Sequence, residues 1–403
     1  MTNKKSKVSN VPNLRFPGFE GEWEVRKLGE IAMKIGDGLH GTPVYVNESD
    51  YYFINGNNLV NGKVELNSNT KRVDAETYTK NNKGLNKNTI LISINGTIGN
   101  IARCNNKNLM LGKSVGYFNF EKNSDFFYHT LQTKSIQDFF KSELTGSTIK
   151  NLSLKTLREA LISFPTQDEQ QKIASFLSLI DQRIATQNKI IEQLETLIKG
   201  LSEKLFSQKI RFKEFKEEWQ LKNLEEVCEF HKGSPLSKSD IVKDGHLKCI
   251  HYGELFTKYK TVISDIFSHT DIEGFKSKTG DVLMPSSDVT PLGLATASAL
   301  LEDNVILGGD INILRPQSNI NPIFLSYILN SEKKRIIELV SGTTVKHIYI
   351  KDLKQIKIYI PNFDEQVVIS QFISSIDKKI QIEKNLLDKY QYQKRYLLQN
   401  LFI

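Results

Sequence analysis

Pro165-Thr166-Gln167-Asp168-Glu169-Gln170 opens a stretch of about 40 residues whose apolar positions keep a seven-residue spacing. One seam holds Leu177, Ile184, Ile191, Ile198 and Leu205; the other holds Ile173, Ile180, Gln187, Leu194 and Leu201. The pattern returns 196 residues later (361 − 165 = 196) as Pro361-Asn362-Phe363-Asp364-Glu365-Gln366. Its seams are Ile373, Ile380, Leu387, Lys394 and Leu401, with Ile369, Ile376, Glu383, Tyr390 and Leu397. Thr166 with Glu169, and Asn362 with Glu365, have the spacing of a capping box with an acidic first turn. Two helices of about 60 Å each are expected, pairing as a coiled coil. A globular domain rarely needs so long a stripe for its own packing. Gln187 and Glu383 interrupt the seams near the middle of each helix, where parallel and antiparallel pairing would both align them. Topology favours antiparallel, because a whole module must be traversed before the return helix begins. Gly200 costs about 1 kcal/mol relative to alanine and marks a candidate bend.

The same register governs the rest of the chain. Arg15-Phe16, Phe19 and Trp23 recur as Arg211-Phe212, Phe215 and Trp219 (211 − 15 = 196). Gly146, Thr148 and Lys150 recur as Gly342, Thr344 and Lys346, and Leu205-Phe206 as Leu401-Phe402. The identities cluster at the ends of each half, and the middles diverge. Four segments follow: a module at 14–164, a helical region at 165–208, a second module at 211–360 and a helical region at 361–403. Within the modules, Thr89–Ile94 and Gly280–Met284 read as strands, and helical patterns fall around Asp125–Leu144 and Pro322–Val340. The fold class is α/β (α+β): two similar globular domains separated by two long helices, as a pseudo-two-fold internal repeat.

The 403 residues carry a net charge of +8, which favours a polyanionic partner. Three cysteines provide no disulfide framework and read as reduced thiols. Residues 1–13 lack the apolar stretch of a signal peptide, and no run reaches the ~18 apolar residues of a membrane span, so a cytoplasmic chain is expected. Leu111-Gly112-Lys113-Ser114 resembles the end of a phosphate-binding loop, but Lys107 stands where that motif needs glycine. No Asn-Pro-Pro-aromatic or Asp-Pro-Pro-aromatic run of an amino-methyltransferase occurs. Cys228 and His231, with His246, Cys249 and His251, have zinc-like spacing. At offset 196 Cys228, His231 and Cys249 face Ala32, Ile35 and Phe53, so the scaffold needs no metal there and unliganded side chains are the favoured reading. The chain reads as a binder of nucleic acid rather than a catalyst.

Three elements carry the candidate contacts. Gly36-Asp37-Gly38-Leu39-His40-Gly41-Thr42-Pro43 joins turn formers to hydrogen-bonding side chains, with Asp37, His40 and Thr42 as candidates for base edges. A plain surface turn is the other reading of the run. Asn95-Gly96-Thr97-Ile98-Gly99 is similar, with Asn95 and Thr97. Its counterpart Ser286–Thr290 offers Ser286, Ser287 and Thr290. Thr145-Gly146-Ser147-Thr148-Ile149-Lys150 and Ser341-Gly342-Thr343-Thr344-Val345-Lys346 can grip phosphate through amides, hydroxyls and lysine, with Thr148, Lys150, Thr344 and Lys346 as candidates. The same turn serves equally well as a device that stabilises the module.

Together these pieces resemble the specificity (S) subunits of type I restriction–modification systems, staphylococcal ones in particular. The likeness rests on Arg15-Phe16-Pro17-Gly18-Phe19 with Trp23, on Asp37-Gly38-Leu39-His40-Gly41-Thr42-Pro43, and on Gly96-Thr97-Ile98-Gly99. It also rests on the repeated Gly-Ser/Thr-Thr-x-Lys and Pro-x-x-Asp-Glu-Gln elements, and it spans residues 14–403. The resemblance implies two target-recognition domains, each reading half of a split site in double-stranded DNA, with the helices as a ruler for the spacer. It also implies a non-catalytic chain without its own cofactor. Its partners would be two methyltransferase (M) subunits that use S-adenosylmethionine, and restriction (R) subunits that use ATP and Mg²⁺. Lys232-Gly233-Ser234-Pro235 departs from the Asp-Gly-x-His-x-Thr-Pro run, and Lys232 joins the DNA-contact candidates. The rival expectations are a stand-alone duplicated DNA methyltransferase or nuclease, and a coiled-coil interaction protein without sequence specificity.

Overall fold

Every residue from Thr89 to Ser93 is buried, which is why this strand is apolar through its middle instead of alternating. It lies in a four-stranded antiparallel sheet of order Lys34–Asp37, Val115–Asn119, Thr89–Ser93, Ile101–Arg103. Ile90 and Ile92 face Phe118, Phe126, Leu131 and Phe140; Phe126 and Phe140 come from the helices Ser124–Thr130 and Lys134–Ser142, and Leu131 caps the first of them. Leu91 points the other way, into a second cluster with Ile54, Leu59, Leu109 and Leu111. That cluster includes residues of a smaller sheet, Arg72–Val73, Tyr51–Ile54, Leu109–Leu111. Two opposite faces of one strand thus seed two cores.

The computed structural model describes residues 10–105, 108–146, 150–288 and 290–403. They form two compact units, one of residues up to Asn188 with Asn385–Ile403 and the other of Lys189–Lys384. The second unit repeats the plan. Its main sheet has the order Cys228–Lys232, Ile311–Pro316, Val282–Pro285, Ser298–Leu300, Val262–Ile263. Val282 and Met284 face Phe324, Ile328 and Ile336 of the helices Pro322–Ser331 and Lys333–Glu338, while Leu283 joins Ile250 and Leu307 beneath a smaller sheet. A two-stranded ribbon closes each module: Glu24–Lys27 on Leu161–Phe164, and Gln220–Asn223 on Lys357–Ile360. The fold is α+β with two similar domains.

The long helices run without interruption over Gln167–Phe206, through Gly200, and over Phe363–Asn400. In the first unit Ile173, Leu177 and Ile180 share a cluster with Leu397 and Leu401. Asp181 meets Lys394 at 2.7 Å and Arg183 lies 6.0 Å from the Tyr390 ring, so partner numbers fall as these rise and the two segments run in opposite directions. In the second unit Leu205 packs in one cluster with Ile369 and Ile373, and Glu195 meets Lys384 at 2.5 Å.

The helix starts differ from expectation in one respect. Asn362 caps its helix, accepting from the Glu365 N–H at 2.9 Å. The carboxylates expected to close the boxes are instead taken by arginine. Arg15 donates Nε and Nη2 to the two oxygens of Glu169 at 2.8 and 2.7 Å, and Arg211 does the same to Glu365 at 3.0 and 2.7 Å. Both glutamates are buried. The pair outcompetes the box because a bidentate charge-assisted contact is the stronger bond. The Arg15-Phe16 and Arg211-Phe212 elements therefore fasten each module to the start of a long helix, through Arg15–Glu169 and Arg211–Glu365.

Strand pairing also corrects the repeat register. Asp37 and Ile92 flank Gly116, and Lys232 and Met284 flank Asn312. Gly116 and Asn312 keep the offset of 196 (312 − 116), whereas Asp37 and Lys232 differ by 195 (232 − 37) and Ile92 and Met284 by 192 (284 − 92). At this offset of 195 Cys228 and His231 are the equivalents of Met33 and Gly36, one position from the Ala32 and Ile35 expected at offset 196. Arg103 and Ala299, on the next strand, recover 196 (299 − 103). The intervening connection is four residues longer in the second unit (196 − 192 = 4), and it contains the one-turn helix Pro291–Leu294.

Candidate nucleic-acid interface

In each main sheet the first strand and the strand Thr89–Ser93 or Val282–Pro285 flank a shared antiparallel neighbour, so both end at the same edge of the sheet. Their outgoing loops gather there. In the first unit Gly38 N–H donates to Val115 O (3.1 Å) and Leu39 N–H to Leu111 O (2.7 Å). A Cβ on Gly38 would sit 2.2 Å from Leu111 O, so glycine is the residue the close approach admits. Ile94 N–H donates to Ser114 O at 2.9 Å. Asn95 then bridges to Asn151, which bridges to Thr145, and Leu152 N–H returns to Ile94 O at 2.9 Å.

The second unit repeats this wiring. Ser234 N–H donates to Leu307 O (2.9 Å), and a Cβ on Gly233 would lie 2.0 Å from Gly308 O. Ser286 N–H donates to Asp310 O (2.7 Å), Ser287–Asp288 pairs with Lys346–His347, Ser341 bridges to His347, and Ile348 N–H returns to Ser286 O (3.1 Å). Three sequence elements of each half, far apart in the chain, therefore meet at one sheet end.

The candidate side chains divide by exposure. His40 and Thr42 are exposed, and His40 Nε2 lies 2.7 Å from Oδ2 of half-buried Asp37. Thr97 is exposed, with its carbonyl accepting from the Ser93 hydroxyl, while Asn95 is half-buried. Lys150 is exposed; Thr148 lies outside the described residues. Lys232 is exposed and its Nζ donates to Ser286 Oγ at 3.2 Å. Ser286 and Ser287 are buried, where the extra bridge to Lys346–His347 covers them, and of that loop Thr290 is exposed, donating to Asp288 Oδ2 at 2.8 Å. Thr344 is exposed; Lys346 is half-buried with Nζ donating to Gly342 O at 2.6 Å. Gly146 and Gly342 adopt φ of +92° and +105°, a conformation costing other residues about 1–2 kcal/mol, which accounts for the repeated glycine.

Two residues at this edge escaped the sequence reading. Lys113 sits exposed in the turn before Val115, and Asp310 sits exposed in the equivalent turn before Ile311. Lys113 is part of the Gly112-Lys113-Ser114 run, whose turn placement at this sheet end leaves no signal in the sequence.

The zinc-like residues are dispersed. Burial pushes the Cys228 thiol up to about 12 and, with Glu254 beside it, the Cys249 thiol up to about 11, which disfavours the thiolate a metal needs. Among the described residues no group of three or more His, Cys, Asp or Glu side chains could hold a metal, and no helix is long and apolar enough to cross a membrane.

Two similar α+β modules with loops wired to one sheet end, each fastened to a long helix, define a duplicated recognition scaffold. The family model described as "Type I restriction modification DNA specificity domain" matches residues 20–196 and again 216–390. The chain belongs to this family, and so is a non-catalytic DNA-recognition subunit. It is 24% identical to the type I restriction enzyme MjaVIII specificity subunit of Methanocaldococcus jannaschii, over 98% of this chain and 95% of that one. It is 23% identical to the MjaIX specificity subunit of the same organism, over 93% of this chain and 88% of that one. Among solved structures, a type I restriction–modification S subunit from M. genitalium superposes with a TM-score of 0.64 at 20% identity, covering 98% and 99% of the two chains. A chain from a structure addressing assembly and conformational transition of the type I system gives 0.56 at 14% identity, covering 97% and 99%.

Proposed function

We propose that this chain reads a bipartite DNA site, with the module at 14–164 on one half and the module at 211–360 on the other. It would hold two methyltransferase (M) subunits, and restriction (R) subunits would join them, in the cytoplasm of the host. The observation that carries this reading is the convergence of the same three elements at one sheet end in both units. Lys150, Thr344 and Lys346 are the phosphate contacts, since amides, hydroxyls and ammonium groups position a duplex without reading it; Thr148 belongs to the same Gly-Ser-Thr-Ile-Lys run as Lys150. Asp37, His40, Thr42, Asn95 and Thr97 address bases in the first half, and Lys232 and Thr290 in the second. Buried Ser286 and Ser287 support that second loop.

The two long helices pair as an antiparallel coiled coil that sets the spacer, with half-sites about one helical turn apart so that both modules approach one face of the duplex. The pseudo-two-fold repeat suits two copies of one M subunit. The experiment is insertion of four residues into the exposed face of the helix Gln167–Phe206 in the assembled methyltransferase. A longer spacer in the methylated motif is expected; loss of methylation at the old site without any new motif in a still-assembled complex overturns the ruler.

A further inference from the structure

Asp37 and Lys232 occupy the same position in the two modules with opposite charge. Each is the last residue of its sheet strand, paired with Gly116 or Asn312 on one side. Each is followed by a glycine whose backbone is pressed against the facing chain, with room for no Cβ. Backbone pairing before and close packing after fix the Cα–Cβ direction, so both side chains leave the sheet edge the same way. The facing turn reverses as well: Lys113 in the first unit and Asp310, one position along, in the second (310 − 196 = 114). The first module thus presents an acid on the strand and a base on the turn, and the second presents the reverse.

A carboxylate among loops that meet DNA is repelled by phosphate and gains only where it accepts from an exocyclic amine; a lysine at the same point donates to guanine O6 and N7. The neighbours fit these roles. Asp37 is steadied by His40 at 2.7 Å, and Lys232 is held over the second loop by Ser286 Oγ at 3.2 Å. Resting on the reading of the chain as a bipartite DNA reader, we propose that this position is a specificity determinant whose charge sets opposite base polarity in the half-sites. Asp37 selects an amine-bearing base, cytosine through N4 or adenine through N6, and Lys232 selects guanine. Lys113 and Asp310 tune the field at the same edge.

The test is methylome sequencing of a host expressing the full chain with its M subunits, comparing wild type, Asp37→Asn, Asp37→Lys and Lys232→Gln. Lys232 itself demonstrates that the strand end accommodates lysine, and Asp37→Asn is close to isosteric. Asp37→Asn should relax one position of the first half-site, reducing base discrimination there about tenfold or more, with the second half intact. Asp37→Lys should install guanine preference at that position, and Lys232→Gln should relax one position of the second half alone. An unchanged motif in all three variants, or a uniform loss of methylation with the motif retained, overturns the proposal. Exchange of the whole first module in the same assay separates the two readings. If the exchange rewrites one half-site while Asp37→Lys does not, the proposal fails and the bipartite reading survives; if the exchange rewrites neither or both, the bipartite reading itself fails.

Discussion

Asp181 and Asp377 occupy equivalent places on the two long helices (377 − 181 = 196), yet their surroundings have opposite character. Asp181 lies 2.7 Å from Lys394 and 3.3 Å from Arg103, whose guanidinium stacks 3.5 Å from the Tyr128 ring. In the second unit Ala299 and Ile198 stand where Arg103 and Lys394 stand, and Asp377 accepts instead from the Tyr327 hydroxyl. Burial, unrelieved by a guanidinium, raises the Asp377 carboxyl above its usual range. Arg15–Glu169 and Arg211–Glu365, by contrast, are the same contact twice. The contact that fastens module to helix start is retained, whereas the packing about three helical turns further along has been rebuilt. Duplication preserved what anchors the scaffold and left neighbouring polar networks free to change with the modules they support.

The largest effect that can break this comparison is expected at the shared anchor. Arg15→Ala and Arg211→Ala each strand a buried carboxylate, and losses of about 3–5 kcal/mol are expected in urea unfolding. Arg211→Ala should be the milder, because Trp219 Nε1 also donates to Glu365 at 3.2 Å, whereas Trp23 Nε1 has no such partner. Equal losses would mean that the tryptophan bond contributes nothing. Tyr327→Phe should cost about 1–2 kcal/mol, since Asp377 then loses its buried donor. An unchanged midpoint would remove the hydroxyl from the account.

His129 sharpens the comparison through pH. Burial first, then Arg103 and Lys394, holds its imidazole well below the usual value of 6.5. The unfolded chain protonates below that value while the folded chain does not, so the stability of the first unit is full above about pH 6.5 and falls as pH drops below it. Leu325 takes this place in the second unit (129 + 196 = 325). Hydrogen exchange should therefore show residues 124–142 losing protection between pH 7.5 and 5.5, with residues 322–338 changing less. His129→Leu should flatten the difference; a persistent acid effect would assign it elsewhere. The smallest effect is expected at Lys150→Ala, which should weaken DNA binding uniformly and lower the salt slope by about one. A changed recognition motif would remove Lys150 from the phosphate contacts.

Much of the scaffold was legible because its signals are periodic or local. The heptads of Ile173–Leu205 and Ile369–Leu401 gave two long helices, and Thr89–Ser93 gave a central strand. The patterns at Asp125–Leu144 and Pro322–Val340 each became two helices, because Thr133 and Glu332 start a new turn within them. The Arg–Glu anchors were missed although all four residues obey the repeat, since partners 154 positions apart leave no local trace. The slips to 195 and 192 were illegible for a different reason. Loop lengths leave no periodicity: Lys232-Gly233 could be set against Asp37-Gly38 as a run, but only the hydrogen-bond ladder fixes the one-residue slip there and the four-residue slip at Met284.

The central claim is that each module reads its own half-site. Residues 14–164 are a natural exchange piece, because the ribbon of Glu24–Lys27 on Leu161–Phe164 closes the module within that segment. The most direct measurement is methylome sequencing of a host in which this segment is replaced by that of a relative, with the M subunits unchanged. The account predicts that the first half-site is rewritten while the spacer and second half-site stay as they were. Altered bases in both halves, or an unaltered motif, would contradict it.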